Sequence, residues 1–591
     1  MNESDSPFQP YERIGTTGGV PSSVGPGGRR SRRLVLPGKG PIGLGLLGLL
    51  LLVYLLRGGD DGEKSEGESQ VQAAESSVVL DTPAPRSGTT PAPGPQDAGP
   101  ALDTPSTPVA KAPQPTLHAG LSSKIEASIG KWMVKARENS KGKVTSKNTV
   151  VAVHVRRANG DVLVDRNTSQ ALRPASNLKL FTCMAAVILC GDTGQFETGF
   201  DRLGPVEAGV LKGDLVARAG ADPMYEYEGD GSIEPWARSL AEQLKKAGIQ
   251  RIDGALVLDE GTYLEPAPAP EWPEAGEHWK EYCALAGGFS ANAGCLTAHI
   301  QPGAAVGKPG VAKVQPSGHG LHRTGSVKTT SSKSDVVIAV EARNTNLIVR
   351  GTIPKGSPGY NPRFSHPDPV ELFGSAMVEA LGAQGIPVRD GWKRRRSAPQ
   401  GERVAVLKSP VISTLLPILR DSNNSVADQL YLHLGHKVTG RGDRDSGAQA
   451  VRAALAVLTV DDGDLRMVDG SGLSKANRVR ADQVSGLIAG LLSRGGPATQ
   501  AFFDALPVAG QSGTLSRRMR GGPAAGRVHA KTGFVNGSSA LSGVVETADG
   551  ERLVFSILVS FPHYPSMNSG VFKPMQDEIC ATLAEFEAGT Q

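Results

Sequence analysis

Apolar side chains recur at helical spacing where the folded part of the chain should begin, near Gly120. Ile125, Ile129, Trp132 and Met133 fall on one face of a helix predicted over 122–137. The residues between them are mostly polar or charged, which is typical of a helix with one buried face. The pattern therefore predicts a helix packed against a core at the start of this region.

Two strand-like runs follow the first helix. The runs 149–155 and 161–164 are rich in valine, and Asn159-Gly160 between them is typical of a hairpin turn. The next segment, 183–189, is apolar almost throughout, so a helix there should be buried on all sides. The pattern thus predicts a helix, a hairpin and then a buried helix.

The N-terminal part of the chain lacks this periodicity. Residues 1–40 are rich in Gly, Pro and Ser and carry several arginines, which predicts a disordered cytoplasmic segment. An uncharged Leu- and Gly-rich run follows, which predicts a signal anchor or transmembrane helix at 41–57. Residues 58–118 are rich in Pro, Ala and Ser and predict a tether. We expect a membrane-anchored protein with its folded part outside the cytoplasm; secretion after signal cleavage is the alternative.

A long middle region has a different texture. Short strand-like runs and Gly turns dominate 199–403, with one helical segment at 233–247, and helical patterns resume after about Val404. We interpret 199–403 as inserted β-rich accessory domains. The basic run Lys393-Arg394-Arg395-Arg396 predicts a solvated loop, with contact to an anionic polymer as the alternative.

Charge and cysteine content exclude several classes of function. The net charge of +4 is too small to indicate nucleic-acid binding. Cys183 and Cys190 are too far apart on one predicted helix to bridge, at about 10 Å along its axis. Cys283 and Cys295 could pair, but buried free thiols are the favoured interpretation. No Cys/His spacing is typical of zinc, and we expect neither metal nor cofactor.

Ser176 and Lys179 begin the predicted buried helix. A spacing of three places a serine nucleophile and a lysine base on one helical face, and the helix N-terminus favours developing negative charge. Two pieces downstream, Ser422-Asn423-Asn424 after an apolar segment and Lys531-Thr532-Gly533 on a strand, complete the set found in β-lactamases and penicillin-binding proteins.

Single motifs of this kind are weak evidence, because the chain contains other copies. Ser128/Lys131 and Ser140/Lys143 repeat the first spacing, but one lies inside the amphipathic helix and the other in a polar loop. The order and context of all three motifs together distinguish Ser176 from these copies.

With these motifs the sequence resembles the class C low-molecular-mass penicillin-binding proteins, the D-alanyl-D-alanine carboxypeptidase/endopeptidase (DD-peptidase) family. Similar segments occur at 204–215, 219–223, 468–474 and 506–510, and the resemblance covers roughly 120–590. It implies an α/β (α+β) fold of the β-lactamase/DD-peptidase-like transpeptidase type, an antiparallel sheet flanked by helices. The implied catalytic domain comprises 119–198 and 404–591.

The resemblance also implies roles for the first two motifs. Ser176 would attack the carbonyl of a penultimate D-alanine, with Lys179 as base and Ser422 passing a proton to the leaving amine. Asn424 would hold Lys179 and the substrate amide. Since an ordinary lysine is neutral in about one molecule in 2,500 at pH 7, Lys179 must lie in a buried place or beside Lys531.

The third motif is implied to bind substrate. Lys531 and Thr532 would hold the terminal carboxylate, and Gly533 would let the substrate backbone lie against the strand. The backbone N–H groups of Ser176 and Phe534 would form the oxyanion hole.

The function implied is therefore a serine-type D-Ala-D-Ala carboxypeptidase acting on peptidoglycan stem peptides, with β-lactams as inhibitors. A DD-endopeptidase that cleaves D-Ala cross-links is one alternative. A catalytically silent cell-wall-binding or sensor protein is the alternative of a different class.

Overall fold

The computed structural model describes residues 117–224, 229–331 and 336–587. The predicted segments 1–40 and 41–57, and nearly all of the tether 58–118, lie outside these residues. Within the described ranges, the structure contains no helix that is both long and apolar enough to cross a membrane.

The α-helices fall into groups before, within and after the predicted insertion. Those in the described ranges are α1 (Ala119–Asn139), α2 (Leu178–Cys190), α3 (Glu234–Lys246), α4 (Pro369–Ala383), α5 (Leu415–Leu419), α6 (Asn424–Thr439), α7 (Arg444–Val457), α8 (Ala481–Arg494), α9 (Pro497–Asp504) and α10 (Lys573–Ala584).

The strands in the described ranges are two to nine residues long. They are β1 (Val150–Arg157), β2 (Val162–Arg166), β3 (Gln195–Leu203), β4 (Val206–Glu207), β5 (Val210–Leu211), β6 (Asp214–Arg218), β7 (Arg251–Ile252), β8 (Leu256–Asp259), β9 (Cys295–Gln301), β10 (Val311–Gln315), β11 (His322–Thr324), β12 (Val327–Thr330), β13 (Val337–Arg343), β14 (Asn346–Pro354), β15 (Arg363–Ser365), β16 (Trp392–Arg395), β17 (Glu402–Pro410), β18 (Val528–Val535), β19 (Ser538–Glu546) and β20 (Arg552–Ser560).

One five-stranded sheet joins the two ends of the folded region. Its order is β18-β19-β20-β1-β2, and every neighbouring pair is antiparallel. The predicted first helix and hairpin are α1, β1 and β2, so these sequence predictions are confirmed. Because β1 pairs with β20 along its whole length, residues from the start of the chain are held beside residues near its end.

Both faces of this sheet are covered by helices. Successive residues of β20 point to opposite sides: Val554 and Leu558 share a core with α2 and α8, while Phe555 and Ile557 share one with α1 and α10. Because both faces are buried, β19 and β20 are apolar or small in nearly every position and show little alternation. The predicted antiparallel sheet flanked by helices is confirmed.

The middle of the chain forms further sheets around a core of its own. These sheets have the orders β16-β8-β6-β3-β17, β4-β5-β7, β10-β9-β15 and β11-β14-β12 with β13 on β14. The first is entered by β3 and left by β17, which pair antiparallel from Gln195↔Pro410 to Arg202↔Glu402. The domain limits predicted from sequence, at 198/199 and 403/404, fall inside these two strands.

One local prediction in this region is wrong. The basic run at 393–396 was expected to be a loop, but Trp392–Arg395 is an edge strand that pairs in parallel with β8. Arg394 there contacts Glu260 at 3.1 Å and Asp368 at 2.7 Å. These carboxylates come from distant parts of the sequence, so the run alone could not indicate a paired strand.

Candidate active site

The turn that carries Ser176 is tied to strand β18. Ser176 lies in a short 3₁₀ helix, Ala175–Asn177, that leads directly into α2. The Asn177 side chain donates a hydrogen bond from Nδ2 to the backbone oxygen of Lys531 at 2.8 Å. A Cβ added to Gly533 would lie 2.7 Å from the backbone oxygen of Pro174, so the strand and the turn are in close contact. The first and third motifs are therefore joined through backbone atoms.

Lys179 lies in the first turn of α2 and is completely buried. Its Nζ donates hydrogen bonds to Ser176 Oγ at 3.1 Å, Asn424 Oδ1 at 2.6 Å and the backbone oxygen of Ser471 at 2.6 Å. These three contacts use all the donors of an ammonium group. After loss of one proton, the nitrogen lone pair can instead accept the proton of Ser176.

The buried environment of Lys179 favours the neutral amine. Burial lowers the pKa of Lys179 to about 8, against the opposing effect of the nearby Asp428 and Asp469 carboxylates. A general base is most effective when its pKa lies near the working pH. The structure therefore places Lys179 in the buried environment that we expected for a lysine acting as a base.

Lys531 lies opposite, on β18, and is also completely buried. Its Nζ donates hydrogen bonds to Ser422 Oγ at 2.9 Å and to the backbone oxygen of Thr532 at 3.0 Å. Burial and the positive charge of Lys179 lower the pKa of Lys531 well below its ordinary value. The two lysines thus lie in one buried polar cluster, each in contact with one of the motif serines.

Asn424 begins helix α6 and connects the site to the inserted region. The preceding residue, Asn423, caps this helix by accepting the Val426 N–H at 3.1 Å. While Asn424 Oδ1 accepts from Lys179, its Nδ2 donates to the backbone oxygen of Tyr282 at 2.8 Å. The insertion therefore helps to orient a residue of the second motif.

The structure brings the predicted site residues to one cleft or to the buried cluster behind it. The cleft has a volume of about 220 Å³. It is lined by Ser176, Ser422, Thr514, Arg518, Thr532, Gly533, Phe534, Ser539, Lys573 and Gln576. Phe534, predicted for the oxyanion hole, has a side chain that is 51% exposed. Lys179, Asn424 and Lys531 join these residues through the hydrogen bonds given above.

The other two copies of the serine–lysine spacing lie elsewhere. Ser128 is buried in α1, and Lys131 Nζ contacts Glu578 of α10 at 2.7 Å. Ser140 Oγ accepts the Val144 N–H at 2.8 Å within its own loop. Neither copy meets residues of the second or third motif, so context separates the site from its copies as expected.

Sequence reasoning missed a loop that supports Lys179. Asp469 Oδ1 accepts from the Gly472 N–H and from Asn477 Nδ2, both at 2.8 Å, and its Oδ2 accepts from the Ser474 N–H at 2.7 Å. These bonds hold the loop in place, so that the backbone oxygen of Ser471 accepts a hydrogen bond from Lys179 Nζ. Segment 468–474 was recognised as family-like, but a backbone carbonyl carries no residue signal from which its role could be predicted.

A second carboxylate from α6 reaches the same loop. Asp428 Oδ1 accepts the Gly470 N–H at 2.7 Å. Burial, and then the charge of Asp469, raise the pKa of Asp428 to about 7. Asp428 lies one helical turn after Asn424, a spacing that places both side chains on the same face. In the part of the chain that the structure describes, no cluster of acidic, His or Cys residues could hold a metal ion.

The family model described as the D-Ala-D-Ala carboxypeptidase 3 (S13) family matches residues 140–578. The chain belongs to this family. The S13 match includes all three motifs and the inserted region, and it confirms the resemblance drawn from the motifs. The D-alanyl-D-alanine carboxypeptidase of Actinomadura sp. (strain R39) is 30% identical over 455 residues, which are 73% of this chain and 80% of that protein.

Other relatives agree with the S13 assignment. The D-alanyl-D-alanine carboxypeptidase DacB of Haemophilus influenzae is 26% identical over 413 residues, 67% of this chain and 81% of that protein. The crystal structure of penicillin binding protein 4 (dacB) from H. influenzae is similar, with a TM-score of 0.62 at 22% identity. That similarity covers 76% of this chain and 99% of the other, and it confirms the predicted DD-peptidase fold.

Proposed function

We propose that this S13-family protein is a serine-type D-Ala-D-Ala carboxypeptidase that acts on peptidoglycan stem peptides through a penicillin-sensitive acyl-enzyme. The observation that carries the proposal is the buried Lys179 amine, 3.1 Å from Ser176 Oγ at the edge of an open cleft. The carboxypeptidases of Actinomadura and Haemophilus support the reaction and the substrate.

Acylation begins with proton transfer from Ser176 to the neutral Lys179 amine. Ser176 Oγ then bonds to the carbonyl carbon of the penultimate D-alanine, and the negative oxygen is stabilised by the backbone N–H groups of Ser176 and Phe534. The proton reaches the leaving amine by way of Ser422, the C–N bond breaks, and D-alanine leaves.

Deacylation returns the enzyme to its starting state. Water attacks the serine ester, gives a proton to Lys179 as base, and releases the shortened peptide while Ser176 regains its proton. A β-lactam follows the same first step but keeps its leaving amine tethered by a second bond, so the acyl-enzyme persists. This accounts for the expected sensitivity to penicillin.

The function is tested by treating purified cell wall with the protein. Release of free D-alanine is expected, whereas conversion of cross-linked to uncross-linked peptides without free D-alanine would indicate an endopeptidase. The Ser176→Ala variant should lose both product formation and labelling by a fluorescent penicillin. Ser128→Ala is the matched control and should keep both, since Ser128 lies outside the cleft. Labelling lost on Ser128→Ala and kept on Ser176→Ala would overturn the assignment.

We also propose that the segment 41–57 anchors the protein in a membrane with the catalytic part outside the cytoplasm. Its support is the sequence alone: residues 41–56 are an uncharged run, with arginines before it and Asp60 and Asp61 after it. The test is to express the full chain and separate membranes from soluble fractions. Recovery in the membrane fraction, with the N-terminus intact by mass spectrometry, is expected; a soluble product cleaved near residue 57 would support secretion instead.

A further inference from the structure

We infer that Lys573 and Arg518 form a cationic subsite in the cleft that recognises the terminal carboxylate of the substrate. This inference rests on the proposed function and adds two specificity-determining residues that no sequence motif contains. It follows from the positions of the cationic residues: Lys573 and Arg518 line the cleft, whereas Lys531 does not.

The lysine of the third motif is poorly placed to supply this charge alone. Lys531 is completely buried, its Nζ already donates to Ser422 and to a backbone oxygen, and it is not among the residues that line the cavity. Burial and Lys179 also lower the pKa of Lys531, so its positive charge is disfavoured. A carboxylate in the cleft therefore needs a second source of positive charge.

Two cationic side chains, Arg518 and Lys573, line the cleft together with the hydroxyl groups of Thr532 and Thr514. Thr532 Oγ1 donates to Thr514 Oγ1 at 2.8 Å, which leaves the hydroxyl hydrogen of Thr514 free to donate to a ligand. Arg518 follows Thr514 by four residues, and Lys573 comes from the start of α10. Ser176, these two hydroxyl groups and the two cationic side chains therefore line the same cleft.

The positive charges of Arg518 and Lys573 are not balanced by carboxylates. Arg518 Nε and Nη2 both donate to Asp577 Oδ1, at 2.9 and 2.7 Å, so one carboxylate is used by one guanidinium. Lys573 Nζ forms no ion pair or hydrogen bond with any residue in 117–224, 229–331 or 336–587. Partial burial and the neighbouring Arg518 lower the pKa of Lys573, and the charge of Asp577 opposes them, whereas the fully buried Lys531 has its pKa lowered well below the ordinary value. One excess positive charge therefore faces the cleft, which matches a single carboxylate.

Lys573 is the better residue to test, because Arg518 also holds α10. Arg518 Nη2 donates to the backbone oxygen of Lys573 at 3.1 Å and to Gln576 Oε1 at 3.2 Å, so its replacement would disturb the helix. The variants are Lys573→Gln, which removes the charge at similar length, and Lys573→Arg, which keeps it. Lys124→Gln changes an exposed lysine on α1 and is the matched control.

The experiment compares a blocked L-Lys-D-Ala-D-Ala peptide with its C-terminal amide, and the readout is the ratio of kcat/KM for acid over amide. Lys573→Gln should lower this ratio about tenfold, the size expected for a half-exposed charged hydrogen bond. Lys573→Arg should keep it within about threefold, and Lys124→Gln should leave it unchanged. Complete labelling by fluorescent penicillin at long times verifies that each variant has an intact Ser176 turn.

An unchanged ratio in Lys573→Gln would overturn the inference, even if both rates fell together, because a structural defect affects acid and amide alike. Failure of the proposed function is a separate outcome, in which the unmodified protein releases no D-alanine. In that case the same variants are compared by how well the acid and the amide protect Ser176 from penicillin labelling. Preferential protection by the acid that is lost in Lys573→Gln would still support the subsite.

Discussion

The rate of acylation should depend on pH through the protonation of Lys179. Ser176 can give its proton only to a neutral amine, and the Lys179 amine is 3.1 Å from Ser176 Oγ. Burial lowers the pKa of Lys179 to about 8. The perturbation is therefore a change of pH across this value, with the protein otherwise unchanged.

The magnitude follows from the neutral fraction of the amine. With a pKa of about 8, roughly 1% of the amine is neutral at pH 6, about 9% at pH 7 and about half at pH 8. Acylation should rise about 50-fold from pH 6 to pH 8 and only about twofold from pH 8 to pH 10. With an ordinary lysine pKa of about 10.4, the rise would continue at about tenfold per pH unit to beyond pH 9.

The assay is the second-order rate constant for labelling by a fluorescent penicillin, measured by rapid quenching in buffers of constant ionic strength. Reading the covalent label avoids contributions from deacylation. Lys179→Met serves as the variant without a base and should lose about 10²–10⁴-fold in rate while the protein stays folded by circular dichroism.

Two results would refute this reasoning. A rate that keeps rising tenfold per unit through pH 10 would show that Lys179 has the pKa of an exposed lysine. A rate that is flat from pH 5 to pH 9 would show that no amine with a pKa in this range takes the serine proton.

Two further predictions concern residues that support the site. Asp428→Asn keeps an acceptor for the Gly470 N–H but removes a charge that raises the pKa of Lys179, so the midpoint of the acylation profile should move roughly one unit lower; an upward shift on the same labelling assay would contradict this. Gly533→Ala places a Cβ 2.7 Å from the Pro174 oxygen and should slow acylation at least tenfold, on the order of the loss expected when reacting groups are misplaced. The control is Gly130→Ala on α1, where the added Cβ has nothing within 4 Å, and it should keep full labelling and a Tm at least as high. Equal acylation rates in the two variants would contradict the prediction that close contact between β18 and the Ser176 turn is needed for acylation.

Much of the fold around the site could be predicted from local patterns. The helical spacing of Ile125, Ile129 and Met133 predicted α1, and Asn159-Gly160 predicted the β1–β2 hairpin. The buried helix after Ser176 was predicted from its unbroken apolar run. These patterns succeed because the period of an element and its turn residues are local properties of the chain.

Other features depended on partners that are distant in sequence. The basic run at 393–396 was predicted as a loop, because its strand pairing needs β8 and the carboxylates that contact Arg394 come from Glu260 and Asp368. The predicted limits of the insertion fall inside β3 and β17. These two strands pair antiparallel where the chain enters and leaves the inserted region, and the pattern of a single strand does not reveal its partner.

By itself, the sequence determined the chemistry of the nucleophile: Lys179 follows Ser176 by three positions, and within one helical turn that spacing brings hydroxyl and amine together. Only the tertiary structure decided the environment that makes the lysine a base. It buried Lys179, which lowers the pKa of the amine, and it placed Asn424 and the Ser471 carbonyl on Nζ, which orient the amine toward Ser176. The physical reason is that desolvation and charge act through space, so the pKa of a side chain depends on every element packed around it.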